Sequence, residues 1–276
     1  MGETREHESG RRTPAIQQLR LLLGQQLLVL QTREPGLRLG TDPEDLKRFR
    51  IAVRRARALI RVSRRLIDDR LAELETELRW LGGALGPTRD LDVLLAHLRS
   101  LEDELGEGGA TIIALFEQER VEARQAMQEA LESSRYAELL ERFATEIALL
   151  EASKAHMGLR KLAAAELKRL RKAYASLGSD PADDELHSLR IKVKRARYST
   201  ELAARPRLAH MARALKGLQD VIGEHQDSVV AEQRVRTLAE EQSGLAAQPI
   251  IEIEQARQRH ARAALPGAWK RVRREF

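Results

Sequence analysis

The sequence predicts an all-α protein. Its 276 residues are 42% hydrophobic and 33% charged but only 3% aromatic, a balance typical of helical bundles. Apolar residues recur at three- and four-residue steps along most of the chain, and no stretch of useful length alternates every second residue as a strand does. Two motifs also occur twice in the same order, which predicts a duplicated helical unit.

The ends of several helices follow from local signals. Leucines at three- and four-residue spacing predict a first helix from about Thr13 to Thr32. Asp42-Pro43-Glu44 opens the second helix, because Asp caps a helix and Pro is tolerated in its first turn. Pro249 begins the last helix. We interpret the other prolines and glycines as breaks between helices, at Pro35-Gly36, Gly82-Gly83, Gly86-Pro87, Gly106 to Gly109, Gly178 to Pro181, Pro206, Gly223, Gly244 and Pro266-Gly267.

The internal repeat covers two segments. Residues 45–57 align without a gap with residues 185–197, and most acidic, apolar, basic and small positions coincide. Residues 78–93 align in the same way with residues 215–230. The chain therefore has the pattern of one helical unit used twice.

The repeat sets the expected domain organisation. Residues 1–12 form a polar N-terminal tail, and residues 13–276 form one domain with halves at about 13–150 and 151–276. Short connections between the helical segments favour two pseudo-symmetric four-helix bundles, related by an approximate two-fold axis.

Composition also limits the compartment. The chain has no cysteine, which excludes disulfides, thiolate metal sites and a cysteine nucleophile, and fits a reducing environment. The first 14 residues lack the apolar core of a signal peptide, and no apolar run approaches the roughly 20 residues that cross a bilayer. We expect a cytoplasmic protein without membrane contact.

The first copy of the repeat carries concentrated positive charge. No acidic residue occurs between Leu46 and Ile67. On a helix that turns about 100° per residue, one stripe collects Lys47, Arg50, Arg54, Arg57 and Arg61, and another collects Phe49, Val53, Ala56, Ile60 and Ile67. The second copy places His187, Arg190, Lys194 and Arg197 on the equivalent stripe, with Arg195 beside it.

Such a stripe favours an anionic partner. Like charges at this spacing repel by roughly 0.2–0.5 kcal/mol per pair, so the stripe is costly unless an anion is bound. Arginine presents a planar fork of donors that suits phosphate oxygens. The alternative is a solvated face, or ion pairs with the acidic segments at residues 68–77 and 138–151. We predict polyanion binding because the pattern occurs twice.

These motifs resemble the signatures of the CHAD domain, the conserved histidine α-helical domain. The resemblance rests on Arg50-Ile-Ala-Val-Arg-Arg-Ala-Arg57 and on residues 85–93, 186–198 and 218–227, and it extends from about Pro14 to the C-terminal tail. It implies two four-helix bundles that enclose a basic central cleft or pore. It also implies binding of inorganic polyphosphate and recruitment to polyphosphate granules.

The resemblance also implies the site residues. Carried over by motif position, the residues that line the cleft are Arg50, Arg54, Arg55, Arg57, Arg190, Lys194, Arg195 and Arg197. His187 takes the family's histidine position in the second motif, whereas Lys47 replaces the histidine of the first. A lysine keeps the positive charge but weakens any paired-histidine metal site. With Lys47, Arg61 and His187, these residues form the predicted polyphosphate-binding set.

Further residues complete the expected site. Asp90 and Asp227 follow equivalent turns and are expected to orient the cleft arginines through charge-assisted hydrogen bonds. Arg79, Arg89 and Lys216 are candidates for additional phosphate contacts. We expect Trp80 and Tyr198 to be packing residues.

We expect no catalysis, no metal and no cofactor. The seven histidines are scattered, His225 with Asp227 is a weak metal signal, and the chain has no Gly-rich phosphate loop. Some members of the resembled family carry a triphosphate-processing domain with Glu-x-Glu-x-Lys, but Glu252-Ile-Glu254 lacks the lysine. We therefore expect a stand-alone binding protein.

Three alternatives remain open. The first is that the protein binds nucleic acid or polyanions in general. Single-strand binders use aromatic stacking, and this chain has only two Trp, three Tyr and four Phe. Less favoured is a metal-dependent phosphohydrolase. Residues 257–274 or the acidic residues 117–151 also offer a surface for a protein partner of unknown identity.

Overall fold

The computed structural model describes residues 15–67, 69–150, 158–203, 206–242 and 244–276. These residues form nine helices and no strand, which confirms the all-α prediction. The helices are α1 (Ala15–Leu39), α2 (Pro43–Ile67), α3 (Ala72–Ser100), α4 (Glu102–Glu132), α5 (Ser134–Leu149), α6 (Leu159–Ala175), α7 (Asp183–Ala203), α8 (Pro206–Glu241) and α9 (Gln248–Arg273). The predicted tail at residues 1–12 and the predicted junction near residue 151 lie outside the described residues.

Local signals set the ends of α1, α2 and α9. Oδ1 of Asp42 accepts a hydrogen bond from the N–H of Glu44 at 2.8 Å, so α2 begins at the predicted capping sequence. The last helix begins at Gln248, with the predicted Pro249 in its first turn. The first helix ends later than predicted, at Leu39. The next residue is Gly40, whose φ of 67° is favourable for glycine and whose N–H donates to the Gly36 carbonyl.

Several predicted helix breaks are wrong. Helices continue through Pro35-Gly36, Gly82-Gly83, Gly86-Pro87, Gly106 to Gly109, Gly223 and Pro266-Gly267. An interior proline costs about 3 kcal/mol because it removes a backbone hydrogen bond. In α3, Leu81 and Leu85 before Pro87 and Leu91 after it are buried. Burying each leucine contributes roughly 1.5–3 kcal/mol, so packing on both sides of the proline outweighs the local penalty.

The described helices form an N-terminal and a C-terminal group. In the first half α2 packs between α1 and α3, and in the second half α7 packs between α6 and α8. The two central helices, α2 and α7, also contact each other. Within the described residues, no helix has the length and apolar character needed to cross a bilayer.

The described residues of the first half form five helices, where about four were predicted. Ser133 caps α5, because its Oγ accepts a hydrogen bond from the Tyr136 N–H at 3.3 Å. Tyr136, Leu139 and Phe143 are buried on one side of this helix. The helix contacts α1, α3 and α4 and therefore closes the first bundle.

Three hydrophobic clusters form the described core. One is centred in the first half around Phe49 and Leu78 but also includes Leu162, Tyr198 and Leu202 of the second half. Another lies within the second half around Val193 and Leu215. In the third, the C-terminal part of α3 and the N-terminal part of α4 meet the corresponding ends of α8 and α9. Because this third cluster joins the halves away from the α2–α7 contact, space remains between the two junctions.

The role of Phe49 in holding α2 can be tested by Phe49→Ala. This side chain is fully buried in the first cluster, so its truncation should cost about 3–5 kcal/mol of unfolding free energy. Ile51→Ala is the matched control on the same helix, because Ile51 is exposed and its loss should cost about 0.5 kcal/mol. Urea unfolding followed by circular dichroism measures both, and equal costs would contradict the assigned orientation of α2.

Candidate functional site

A cleft of about 520 Å³ lies between the two halves. It is lined by α2 and α7, by the C-terminal halves of α3 and α8, and by α9. Among the described residues, two carboxylates and eight cationic side chains line it, an excess of six positive charges. The carboxylates are Asp90 and Asp227, and the cations are Lys47, Arg50, Arg54, Arg89, Arg190, Lys194, Arg234 and Arg257.

The cleft brings together aligned positions of the two motifs. Arg50 lies in the same cleft as Arg190, and Arg54 in the same cleft as Lys194. The other repeated segment, residues 78–93 and 215–230, contributes the pairs Asp90 and Asp227, Val93 and Val230, and Arg89 and Gln226. Segments more than a hundred residues apart in sequence therefore build one site.

Four cations in the cleft lack an anionic partner among the described residues. Arg54, Arg89, Arg190 and Lys194 form no ion pair with any of them. The Nε of Arg190 is also buried and has no hydrogen-bond acceptor in the described part of the chain. A buried donor without a partner costs free energy, so this part of the cleft is prepared for an anion that supplies acceptor oxygens.

Burial and neighbouring positive charges lower the pKa values of Lys194 and Arg54. Burial lowers the pKa of Lys194 to about 8, with further lowering by Arg190 and Arg54, while Asp227 opposes the shift. Arg54 is reached by water from the cleft but has protein on most sides, and this desolvation lowers its pKa. Nearby Arg50 and Arg190 act in the same direction.

The two predicted orienting carboxylates differ in their contacts. Asp90 accepts a hydrogen bond from Arg50 Nη1 at 2.8 Å, and the same nitrogen donates to the Gly86 carbonyl at 3.2 Å. Asp90 therefore fixes Arg50 in the wall of the cleft. Asp227 lines the cleft, and its pKa is raised by burial, although the charge of Arg190 opposes that shift.

Three ionisable cleft residues were not among the sequence-based candidates. His97 and Arg234 follow Asp90 and Asp227 by two helical turns and extend the aligned second motif. Continuing that alignment to residue 97 would have identified both. Arg257 of α9 was considered only as part of a protein-binding surface, and it donates to Glu224 and to the buried Glu254.

Several residues that the sequence predicted to bind polyphosphate lie outside the cleft and form ion pairs. Arg55 pairs with Glu201 of the opposite half at 3.0 Å, and Arg197 pairs with the same carboxylate at 2.8 Å. Arg195 pairs with the buried Glu166 at 3.2 Å. These arginines therefore form ion pairs, which was the alternative to anion binding. Their carboxylate partners lie outside the acidic segments at residues 68–77 and 138–151.

The remaining candidates lie at the rim or beyond the cleft. His187 Nδ1 is 3.2 Å from Oε1 of Gln226, which lines the cleft, so the histidine stands beside the opening. Lys216 pairs with Asp220 on the surface of α8 at 2.6 Å. Arg57, Arg61 and Arg79 form a separate group beside α3. Tyr198 and Trp80 pack against the first cluster of the core, as expected.

The weak metal signal of His225 and Asp227 has no structural counterpart. His225 is buried, with Nε2 3.4 Å from Oδ1 of Asp183, whereas Asp227 faces the cleft. Within the described part of the chain, no three His, Asp or Glu side chains are grouped so that they would hold a metal ion.

Comparison with known proteins identifies the fold family. The CHAD domain pattern matches residues 21–236. The crystal structure of the CHAD domain from the plant Ricinus communis is 28% identical, with a TM-score of 0.81 over 95% of this chain and 92% of that one.

A second solved structure has the same fold. PptA from Streptomyces chartreusis is 23% identical, with a TM-score of 0.69 over 94% of this chain and 100% of that one. None of the curated proteins is significantly similar in sequence. The family pattern spans most of the chain and both solved structures share its architecture, so the protein belongs to the CHAD domain family.

Proposed function

We propose that the protein binds inorganic polyphosphate in the cleft between α2 and α7 and does not break it. One observation carries the proposal: Arg54, Arg89, Arg190 and Lys194, from both halves, converge without an anionic partner among the described residues. A linear polyanion supplies the missing charge. Membership of the CHAD family, with the ligand that the resemblance implies, supports phosphate as its repeating unit.

The cleft favours polyphosphate over nucleic acid. Its described lining contains no Phe, Tyr or Trp side chain. Stacking of a base on an aromatic ring contributes roughly 1–3 kcal/mol, and this contribution is missing here. Ile51, Val93 and Val230 instead give the cleft aliphatic walls. A ligand made only of phosphate loses nothing by this, because it has no base to stack.

The proposal contains no catalytic step. Among the described residues, Asp90 is held by Arg50 and no cluster of His, Asp or Glu has metal-ligand geometry. The cleft side chains therefore act as donors and as fixed positive charges. The outcome is retention of the polymer, and in a cell this binding would recruit the protein to polyphosphate granules.

Binding in the cleft should depend strongly on salt. Four cleft cations have no ion-pair partner among the described residues, whereas the other four are paired with carboxylates, so about four phosphates can be neutralised. By analogy with DNA, this predicts a loss of roughly a hundredfold in affinity between about 50 and 200 mM salt.

Calorimetric titration tests the proposed ligand. The protein is titrated with long-chain polyphosphate and with single-stranded RNA of matched charge, at about 0.15 M salt. We expect polyphosphate to bind more tightly because the cleft offers charge without stacking faces. Gel analysis of the polymer after incubation should show unchanged chain length.

Other results of this titration would redirect the assignment. Equal affinity for RNA would make the protein a general polyanion or nucleic-acid binder. Shortening of the polyphosphate would support the phosphohydrolase alternative and contradict simple retention.

Reversing two charges tests the cleft itself. Arg54→Glu with Lys194→Glu should lower polyphosphate affinity by about a hundredfold or more, because two attractive contacts become repulsive. Neither residue forms an ion pair with a described residue, so helical content should stay near that of the parent. The matched control is Arg160→Glu with Lys168→Glu, two exposed positions on α6. A cleft variant that binds like this control would refute the site.

The lowered pKa of Lys194 predicts a pH dependence. Its ammonium form, which an anion favours, prevails below about pH 8 and is lost above it. Affinity for polyphosphate should therefore fall about tenfold between about pH 7 and pH 9.5. Lys194→Arg should remove most of this fall, because arginine stays charged. The same fall in parent and variant would show that another group is responsible.

A further inference from the structure

A second basic group lies beyond the cleft, along α2 and α3. We call Arg57, Arg61, Arg64 and Arg79, with the carboxylate of Glu75, the outer cluster. Nε of Arg61 donates to Glu75 Oε1 at 2.5 Å and Nη2 of Arg64 donates to Oε2 at 3.0 Å. Nη2 of Arg79 lies 3.6 Å from Oε1. Three guanidinium groups thus surround a single carboxylate.

Glu75 gathers these arginines but does not neutralise them. Its side chain is only 1% exposed, whereas those of Arg61, Arg64 and Arg79 are about half exposed. Burial would raise the pKa of Glu75, but the hydrogen bond and charge of Arg61, with the charges of Arg64 and Arg79, hold it below the usual value. The ionised carboxylate accepts from one nitrogen of Arg61 and one of Arg64, and Arg64 Nε also pairs with Asp69 at 3.3 Å. A guanidinium has five N–H donors, so these half-exposed arginines keep further donors for a ligand.

Arg57 is the unpaired member of the outer cluster. Its Nε is buried without an acceptor among the described residues, and it forms no ion pair with them. A Cβ built on Gly82 would lie 3.5 Å from its Nη1, so the guanidinium lies directly over the backbone of α3. Desolvation lowers the pKa of Arg57, and the charges of Arg61 and Arg79 lower it further.

The second half lacks this arrangement, which argues against a purely structural role. In the register of the repeat, Glu201 replaces Arg61 and pairs with Arg197, the counterpart of Arg57. Position 212, which aligns with Glu75, is alanine. The same fold therefore stands without four arginines at this place, and the excess charge in the first half needs another explanation.

We propose that the outer cluster is a second phosphate-binding site, which engages a further stretch of the same polyphosphate chain that occupies the cleft. This inference rests on the proposed function. Arg54 lines the cleft and Arg61 belongs to the outer cluster, and seven residues of α2 separate them by about 10 Å along the helix axis. A long chain can reach both groups, whereas a short one fills the cleft alone.

The test compares ligand lengths in Arg57→Gln with Arg79→Gln. These residues are chosen because Arg57 has no ion-pair partner among the described residues and Arg61 and Arg64 still neutralise Glu75. Titration with long-chain polyphosphate should show about a tenfold lower affinity. The slope of log affinity against log salt should fall by about two. Affinity for tripolyphosphate should stay within about twofold of the parent.

Two controls keep the result interpretable. Arg160→Gln with Lys168→Gln removes the same net charge from the exposed face of α6 and should leave both affinities unchanged. If thermal melting shows that the double variant is misfolded, Arg79→Gln alone gives the same comparison with a smaller change, since Arg79 is largely exposed.

The remaining outcomes decide between the two proposals. Unchanged long-chain affinity in the variant would overturn the second site. An equal loss for long and short ligands would also overturn it, because the outer cluster would then act only through the cleft. A parent protein that binds neither ligand would overturn the proposed function itself and this inference with it.

Discussion

The site depends on like charges being held together by hydrophobic packing. Arg54, Arg190 and Lys194 repel one another, and the lowered pKa of Lys194 reflects this repulsion together with burial. They stay in place because the opposite faces of α2 and α7 are anchored in the core by residues such as Phe49 and Val193. The free energy of burial thus maintains an unfavourable charge distribution, which a bound anion relieves.

Carboxylates decide which arginines remain available. The two basic helices carry similar residues, but Glu201 pairs with Arg55 and Arg197, and Glu166 pairs with Arg195. In the cleft the described acids are too few to do this. The positions of the acidic residues therefore determine which arginines join helices through ion pairs and which cations can bind a ligand.

The aliphatic walls of the cleft strengthen its electrostatics. Ile51, Val93 and Val230 are exposed to the cleft beside the cations, and Leu94 and Ala231 connect the wall to the third core cluster. Apolar walls lower the local dielectric constant, so a charge pair formed inside gains more than on an open surface. They also add no face on which a base would stack.

The sequence by itself determined the helical class, the repeat and the basic stripe, because periodicity and charge spacing are local properties. Only the tertiary structure decided how the stripe is divided. From Lys47 to Arg61 it extends about 20 Å along α2, and only the part that faces α7 and α8 lies in the cleft. Helix continuation through Pro87 and the pairing of Arg55 with Glu201 likewise depend on distant residues. Such contacts follow from three-dimensional packing, which no local pattern encodes.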